Sequence, residues 1–320
     1  MDANLPIENY QAAHFDGRQF HNEGGVTNHG FGGVLRWMIT RKRGVWPRYV
    51  ASDPAPPPAA RVQDGITVTL IGHATVLLQF AGLNIITDPM FSDRAGPTPW
   101  LGVKRVRPPA IAIDDLPKID FILLSHNHYD HLDRPSLATL ARRDQSHIVT
   151  GLKVGKSVPS DRITELDWWL HHNLRPDVRA TYVPARHFSA RTPFDRNQSL
   201  WGGFVLETPA GTIYFAGDSG DGPHFAAIRQ KFGPITLSLL PIGAYAPRWF
   251  MAPVHMDPAQ AVAAAITLES RVTLPIHYGA FPLADDGFDD PLNELAVAKA
   301  AAPNVDFRTA AFGEAIKIKP

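Results

Sequence analysis

Short apolar runs separated by polar breaks organise most of this chain. Ile66 to Leu70, Val76 to Phe80 and Leu83 to Thr87 read as strands, the last two joined at Ala81-Gly82 as a hairpin turn. Further strands are expected at Phe121 to Leu124, Thr181 to Val183, Phe204 to Glu207, Thr212 to Ala216, Thr236 to Leu240 and Val272 to Ile276. Helical patterns fall at Pro135 to Arg142, Ala226 to Lys231, Pro258 to Glu269 and Leu292 to Ala301. Strands outnumber what a doubly wound sheet would use. Two strand-rich halves of similar order therefore predict an α/β fold with two facing mixed sheets and helices outside. The beginning of the chain differs. Gly24, Gly25, Gly30, Gly32 and Gly33, followed by the proline run Pro54 to Pro58, predict an irregular arm and extended linker over 1–64, ahead of one large domain over 65–320.

One polar break stands out. The apolar run Ile119 to Leu124 empties into SHNHYDHLD, Ser125 to Asp133, which crowds His126, His128, Asp130 and His131 into a single turn. Alternation along the extended start puts His126 and His128 on one side, leaving Asp130 and His131 to turn toward a second ion. A two-metal site needs more ligands, and the chain repeats the same grammar of apolar strand followed by polar residue. His187 follows Thr181 to Val183, Asp218 follows Thr212 to Ala216, and His277 follows Val272 to Ile276. Five other histidines fail that test: His14, His21 and His29 lie in the arm, and His171 and His172 follow Trp168-Trp169 in a helix-like stretch, so these five are assigned to surface or packing. Asp88, after the strand Leu83 to Thr87, is in place to accept the free ring N–H of a ligand histidine, and His73 in IGHAT is a second supporting residue.

Composition narrows the chemistry. The 320 residues are 44% hydrophobic and carry no net charge, which suits a sizeable core and offers nothing that selects nucleic acid. There is no cysteine, so disulfides and thiolate ligation are excluded and any metal site must use His and carboxylate. No apolar stretch reaches membrane-span length and no signal-like run opens the chain, so a cytoplasmic location is expected, with peripheral membrane contact as the alternative.

Longer strings carry a family resemblance. LIGHATVL (Leu70 to Leu77), TDPMFSDRA (Thr87 to Ala95), SHNHYDHLD, ELDWW (Glu165 to Trp169), GAYAPRWFM (Gly243 to Met251) and His255-Met256-Asp257-Pro258 resemble the N-acyl-phosphatidylethanolamine-hydrolysing phospholipase D family of the metallo-β-lactamase superfamily. The resemblance runs from about Gly65 to the C-terminus, and GAYAPRWFM with HMDP is its most specific part. It implies the superfamily's αβ/βα sandwich and two zinc ions, with iron or manganese as substitutes. It also implies the ligand sets: His126, His128 and His187 for one ion, Asp130, His131 and His277 for the other, with Asp218 bridging. Asp130, Asp218 and His255 are the implied catalytic residues, His255 to hydrogen-bond the phosphate or protonate the leaving alkoxide. The loops GDSGDG and PARHFSAR depart from the mammalian pattern, and because they flank the metal site they bear on substrate choice.

The resulting expectation is a dizinc phosphodiesterase acting on N-acyl-phosphatidylethanolamine or related phosphodiesters, in which a water made acidic between two cations attacks phosphorus. A lactonase using the same centre is the alternative, and a di-iron electron carrier lacks the flavin-type segment it would need. Lipid access has its own candidate. Val34 to Val50 interleaves Leu35, Trp37, Met38, Ile39, Val45, Trp46 and Tyr49 with Arg36, Arg41, Lys42, Arg43 and Arg48, the mixture of an interfacial segment. An arm packed on the core, or an interface between two copies in a homodimer, would show the same mixture. Tyr245, Arg248 and Trp249 either line the pocket or pack.

Overall fold

The computed structural model describes residues 14–25, 29–52 and 55–319, so the first part of the expected arm and Pro54 of the linker lie outside the described residues. Two sheets form because most strands are apolar on both faces, and a strand that alternates between two cores must be covered on both sides. The first sheet has the order β15 (Ala315–Ile318), β1 (Ile66–Gly72), β2 (Thr75–Phe80), β3 (Leu83–Thr87), β6 (Phe121–Leu124), β7 (His147–Gly151) and β8 (Ile163–Leu166). The second has the order β14 (Val272–Ile276), β13 (Leu237–Pro241), β12 (Gly211–Phe215), β11 (Gly203–Thr208), β10 (Val178–Val183) and β9 (His171–Arg175). A hairpin of β4 (Arg94–Thr98) and β5 (Leu101–Lys104) stands apart.

Alternation assigns the faces. Val76, Leu78 and Phe80 of β2, Ile85 of β3 and Leu123 of β6 point inward and meet Tyr182, Phe204, Leu206, Phe215 and Leu239 of the other sheet in the central core. Leu77, Ile86, Ile122 and Leu124 point outward and are covered by Leu137 and Leu140 of helix α2 (Arg134–Asp144). On the far side, Val205, Tyr214 and Leu240 pack under Phe225 and Ile228 of α3 (His224–Phe232), Ala261 and Val262 of α5 (Pro258–Thr267), which follows the short α4 (Arg248–Met251), and Leu295 of α6 (Asp290–Ala301). The result is the expected helix–sheet–sheet–helix sandwich. The β2–β3 hairpin pairs Val76 with Thr87 and Phe80 with Leu83 across Ala81-Gly82. Helix α5 starts at a capping box, Asp257 accepting from the Gln260 backbone N–H while the Gln260 side chain accepts from that of Asp257.

Two expectations need correction. The arm is not wholly irregular: Phe31–Thr40 forms helix α1 despite Gly32 and Gly33, because Trp37 stacks on Phe250 at 5.0 Å and tertiary packing overrides a weak intrinsic propensity. His171 and His172 are not helical but begin the edge strand β9, held by pairing with β10. A strand reading HHNLR has no apolar alternation to announce it, and its neighbour supplies the order.

Sheet direction positions the chemistry. β3, β6 and β7 run parallel, as do β12, β13 and β14, so the C-terminal ends of β3, β6, β12 and β14 open at one edge of the sandwich. Asp88, the turn Ser125 to His131 and His277 directly follow β3, β6 and β14, and Asp218 follows β12 after Ala216 and Gly217.

Candidate metal centre

The strand ends bring all seven expected ligands together. His128 Nδ1 lies 2.8 Å from His126 Nε2 and 3.1 Å from His187 Nε2, so three imidazole nitrogens converge on a point that could hold one ion. Beside it, Asp130 Oδ2 is 3.3 Å from His131 Nε2 and 3.2 Å from His277 Nε2, a second convergence. Asp218 Oδ2 sits between the sets, 3.6 Å from His187 Nε2 and 4.0 Å from His126 Nε2 on one side, 3.2 Å from His131 Nε2 and 3.1 Å from His277 Nε2 on the other. That single oxygen faces both groups. His73 joins the second group, its Nε2 2.9 Å from Asp130 Oδ2.

The residues present fit divalent cations. His131 Nε2 is buried with no hydrogen-bond partner among the described residues, although two carboxylates lie beside it, which is the state of a ligand atom aimed at an ion. Electrostatics agrees. Burial holds His126 and His187 well below the ordinary histidine range and lowers His128 to about 4, so all three are neutral at pH 7 and have a lone pair to offer a cation. Burial also opposes charge on His131 and His277, yet the nearby carboxylates, Asp218 foremost, overcome it, lifting His131 well above its usual value and His277 to about 9. Those carboxylates create a field that demands a cation. Protons and metal ions then compete for the same nitrogens.

A supporting layer orients the rings. Asp88 Oδ2 accepts from His131 Nδ1 at 2.6 Å and from the Ser125 hydroxyl at 2.5 Å, while Asp88 Oδ1 accepts from the Ser125 backbone N–H at 2.7 Å. Ser125 Oγ in turn lies 2.9 Å from His126 Nδ1. With its own proton committed to Asp88, the hydroxyl accepts the Nδ1–H, which leaves His126 Nε2 free for the centre. One carboxylate thus steadies a histidine in each set. His187 is oriented by Val254, whose carbonyl oxygen lies 3.0 Å from Nδ1. Its backbone is clamped by Asn22 from the arm, which donates to the His187 carbonyl at 2.9 Å and accepts from its N–H at 3.1 Å. Sequence reading picked out neither Ser125 nor Asn22. The Ser125 side chain gains meaning only beside an aspartate 37 positions earlier, and Asn22 is 165 positions from His187.

Local backbone geometry is unusual here. His73, Asp88 and His277 have φ of 56°, 33° and 61°, a left-handed region that costs non-glycine residues roughly 1–3 kcal/mol and that gathers at functional sites. Gly217, before Asp218, has φ 61°, and a Cβ there would come within 2.7 Å of the Ser125 Cβ, so only glycine lets the two ligand loops meet.

The remaining expected residues divide. His255 is half-buried, its ring centroid 5.0 Å from that of His187 and 5.5 Å from that of His277, and desolvation lowers it to about 4. It is therefore neutral at pH 7 and offers an N–H rather than an acidic proton. Arg248 packs: it donates to the carbonyls of Tyr245 at 3.2 Å and His255 at 2.9 Å and to Gln260 Oε1 at 2.7 Å, bracing the loop that carries His255. Trp249 lies on the surface under Arg36, whose Cζ is 4.6 Å from the ring centre, and Tyr245 is buried. Trp37 donates its indole N–H to Asp285 at 3.1 Å and Trp46 to the Asp286 carbonyl at 2.7 Å, so both tryptophans of the arm are engaged with the body of the protein.

Comparison with known proteins fits this geometry. The family model described as "Beta-lactamase superfamily domain" matches residues 83–278. An uncharacterized protein of Mycobacterium tuberculosis is 37% identical over 267 residues, covering 78% of this chain and 70% of the relative. N-acyl-phosphatidylethanolamine-hydrolyzing phospholipase D 1 of Caenorhabditis elegans is 34% identical over 270 residues, covering 79% of this chain and 76% of that protein. The chain belongs to this phospholipase D family. It is a metal-dependent hydrolase of the metallo-β-lactamase superfamily. A metallo hydrolase from the archaeon Ignicoccus hospitalis shares the family's fold, with a TM-score of 0.62 at 21% identity over 80% of this chain and 99% of its own.

Proposed function

We propose that the protein is a dizinc phosphodiesterase of phospholipase D type, hydrolysing N-acyl-phosphatidylethanolamine or related phosphodiesters. The observation that carries this reading is the double convergence of ligand atoms about Asp218 Oδ2, which offers two adjoining cation sites. When bound, a pair of divalent ions supplies a water acidic enough to attack near neutral pH and positive charge for the phosphoryl oxygens. The chain's own residues do the rest. His126, His128 and His187 would hold one ion, Asp130, His131 and His277 the other, and Asp218 both. Iron or manganese could replace zinc on such a donor set. His255, neutral and beside both histidine groups, donates a hydrogen bond to a phosphoryl or leaving-group oxygen. His73 steadies Asp130 from behind.

The N-acyl-phosphatidylethanolamine substrate is suggested by the relatives named for hydrolysing it. The metal-loaded protein is expected to turn over bis(4-nitrophenyl) phosphate and to release phosphatidate from N-acyl-phosphatidylethanolamine, with a homoserine lactone opened far more slowly. Fast lactone opening with no phosphodiester turnover would favour the lactonase and end this reading.

A lipid substrate must be drawn from a surface, and the arm offers one contact. No helix among the described residues is long and apolar enough to cross a membrane. On α1, Leu35, Met38 and Ile39 share a face by their three- and four-residue spacing and are 48%, 62% and 76% exposed, and Val45 beyond the helix is 88% exposed. Lys42 and Arg43 follow directly. These residues, rather than Trp37 and Trp46, form the proposed peripheral contact with anionic lipid, at a membrane or on vesicles. Changing Met38 and Ile39 to Ser should weaken sedimentation with anionic vesicles while activity on a short soluble phosphodiester persists. A change in oligomeric state instead would assign this face to a homodimer.

A further inference from the structure

Arg191, Arg248 and Arg196 contact the loops around the centre, and the first two are already committed. Arg191 donates to the carbonyls of Asn127 at 2.7 Å and Leu132 at 3.0 Å while stacking 4.0 Å over Tyr129, and Arg248 braces the His255 loop. The third is Arg196. Its guanidinium lies 4.4 Å over the ring of Phe188, and that ring meets His128 edge-on at 4.5 Å and lies 5.0 Å from His187. No hydrogen bond or ion pair to the Arg196 side chain occurs among the described residues. The neighbouring carboxylate is otherwise engaged, Asp195 Oδ1 accepting from the N–H groups of Arg191 at 3.0 Å and Thr192 at 2.7 Å.

A half-buried cation with no counter-ion costs stability unless something repays it. Burial alone lowers the Arg196 proton affinity, and its charge is felt at His128, where it helps lower that ring. The backbone that carries this side chain is also anchored. The Arg196 carbonyl accepts from Gln19 Nε2 at 2.9 Å, the Asn197 N–H reaches the Ser189 carbonyl at 2.8 Å, and the Asn197 carbonyl accepts from the Phe20 N–H at 2.8 Å. A pre-organised fork with its donors unspent is suited to a phosphate or carboxylate oxygen.

We propose that Arg196, stacked on Phe188 beside His128, binds an anionic oxygen of the substrate and makes this centre select phosphodiesters over neutral esters and lactones. The assignment rests on the phosphodiesterase reading for its substrate, but the anion site can be measured without turnover. Calorimetry with inorganic phosphate on the metal-loaded protein should show Arg196→Gln weakening binding ~10- to 100-fold, the span of one charge-assisted hydrogen bond. Arg196→Lys, which keeps the charge but loses the planar fork, should fall between, and the difference should shrink with added salt. With bis(4-nitrophenyl) phosphate the same Gln variant should raise KM by a like factor with kcat little changed. Unchanged metal content would show that the centre itself is intact. Phosphate binding and KM equal to wild type in Arg196→Gln would overturn the assignment. A wild type that turns over no phosphodiester would instead count against the phosphodiesterase reading, and the phosphate titration would still decide on Arg196.

Discussion

Asp218→Asn is expected to keep the fold, as read by circular dichroism, and to lose phosphodiester turnover by at least ~10²- to 10³-fold, the scale on which one group that stabilises developing charge contributes. The reason is the position of one atom. Asp218 Oδ2 faces His187 and His126 on one side and His131 and His277 on the other, so it is the oxygen that could neutralise and space two ions at once. An amide keeps the shape of that side chain and removes its charge. Occupancy of at least one site should fall with turnover. A variant with near-normal activity would show that the two histidine groups work without a shared carboxylate.

Asp88→Asn should be the most damaging change among residues that touch neither proposed ion. Asp88 Oδ2 is the acceptor for two donors, the His131 ring at 2.6 Å and the Ser125 hydroxyl at 2.5 Å, all in a fully buried setting. An amide nitrogen there would confront both donors with a third. To escape, His131 must change tautomer or turn, and Ser125 must release His126, so both ligand groups lose their orientation. Removing such outer partners lowers metal affinity by roughly 10–100-fold, and competition with a chelator would read it directly. Ser125→Ala should produce a smaller version confined to the His126 side. Equal loss from both groups in Ser125→Ala would mean that the hydroxyl serves the fold rather than the ring.

How much of this was legible beforehand follows from what each residue depends on. SHNHYDHLD needs one strand and one turn, both local, so its meaning survives without a structure. His187, Asp218, His277 and Asp88 each follow an apolar strand, and parallel strands carry their ends to one edge, so the same local cue found four residues spread over nearly two hundred positions. The sandwich was readable because β2, β3 and β6 carry apolar residues on both faces. What escaped depends on partners remote in sequence. Strand β9 exists by pairing with β10, and α1 by the grip of Phe250 and Asp285 on Trp37. Asn22 is a polar residue in a glycine-rich arm until the fold sets it against His187 and the Trp201 indole, which donates to it at 3.0 Å. Arg196 becomes distinctive only once Asp195 beside it has been seen to accept from the Arg191 and Thr192 N–H groups instead.

Elemental analysis of the gently purified wild-type protein decides whether this centre holds two ions. The seven candidate ligands, Asp218 among them, exceed what one tetrahedral ion accepts, so about two zinc ions per chain are expected, with iron or manganese an acceptable substitute on these nitrogen and oxygen donors. One ion or none per chain, in protein that is nonetheless active on a phosphodiester, would rule out a two-ion centre.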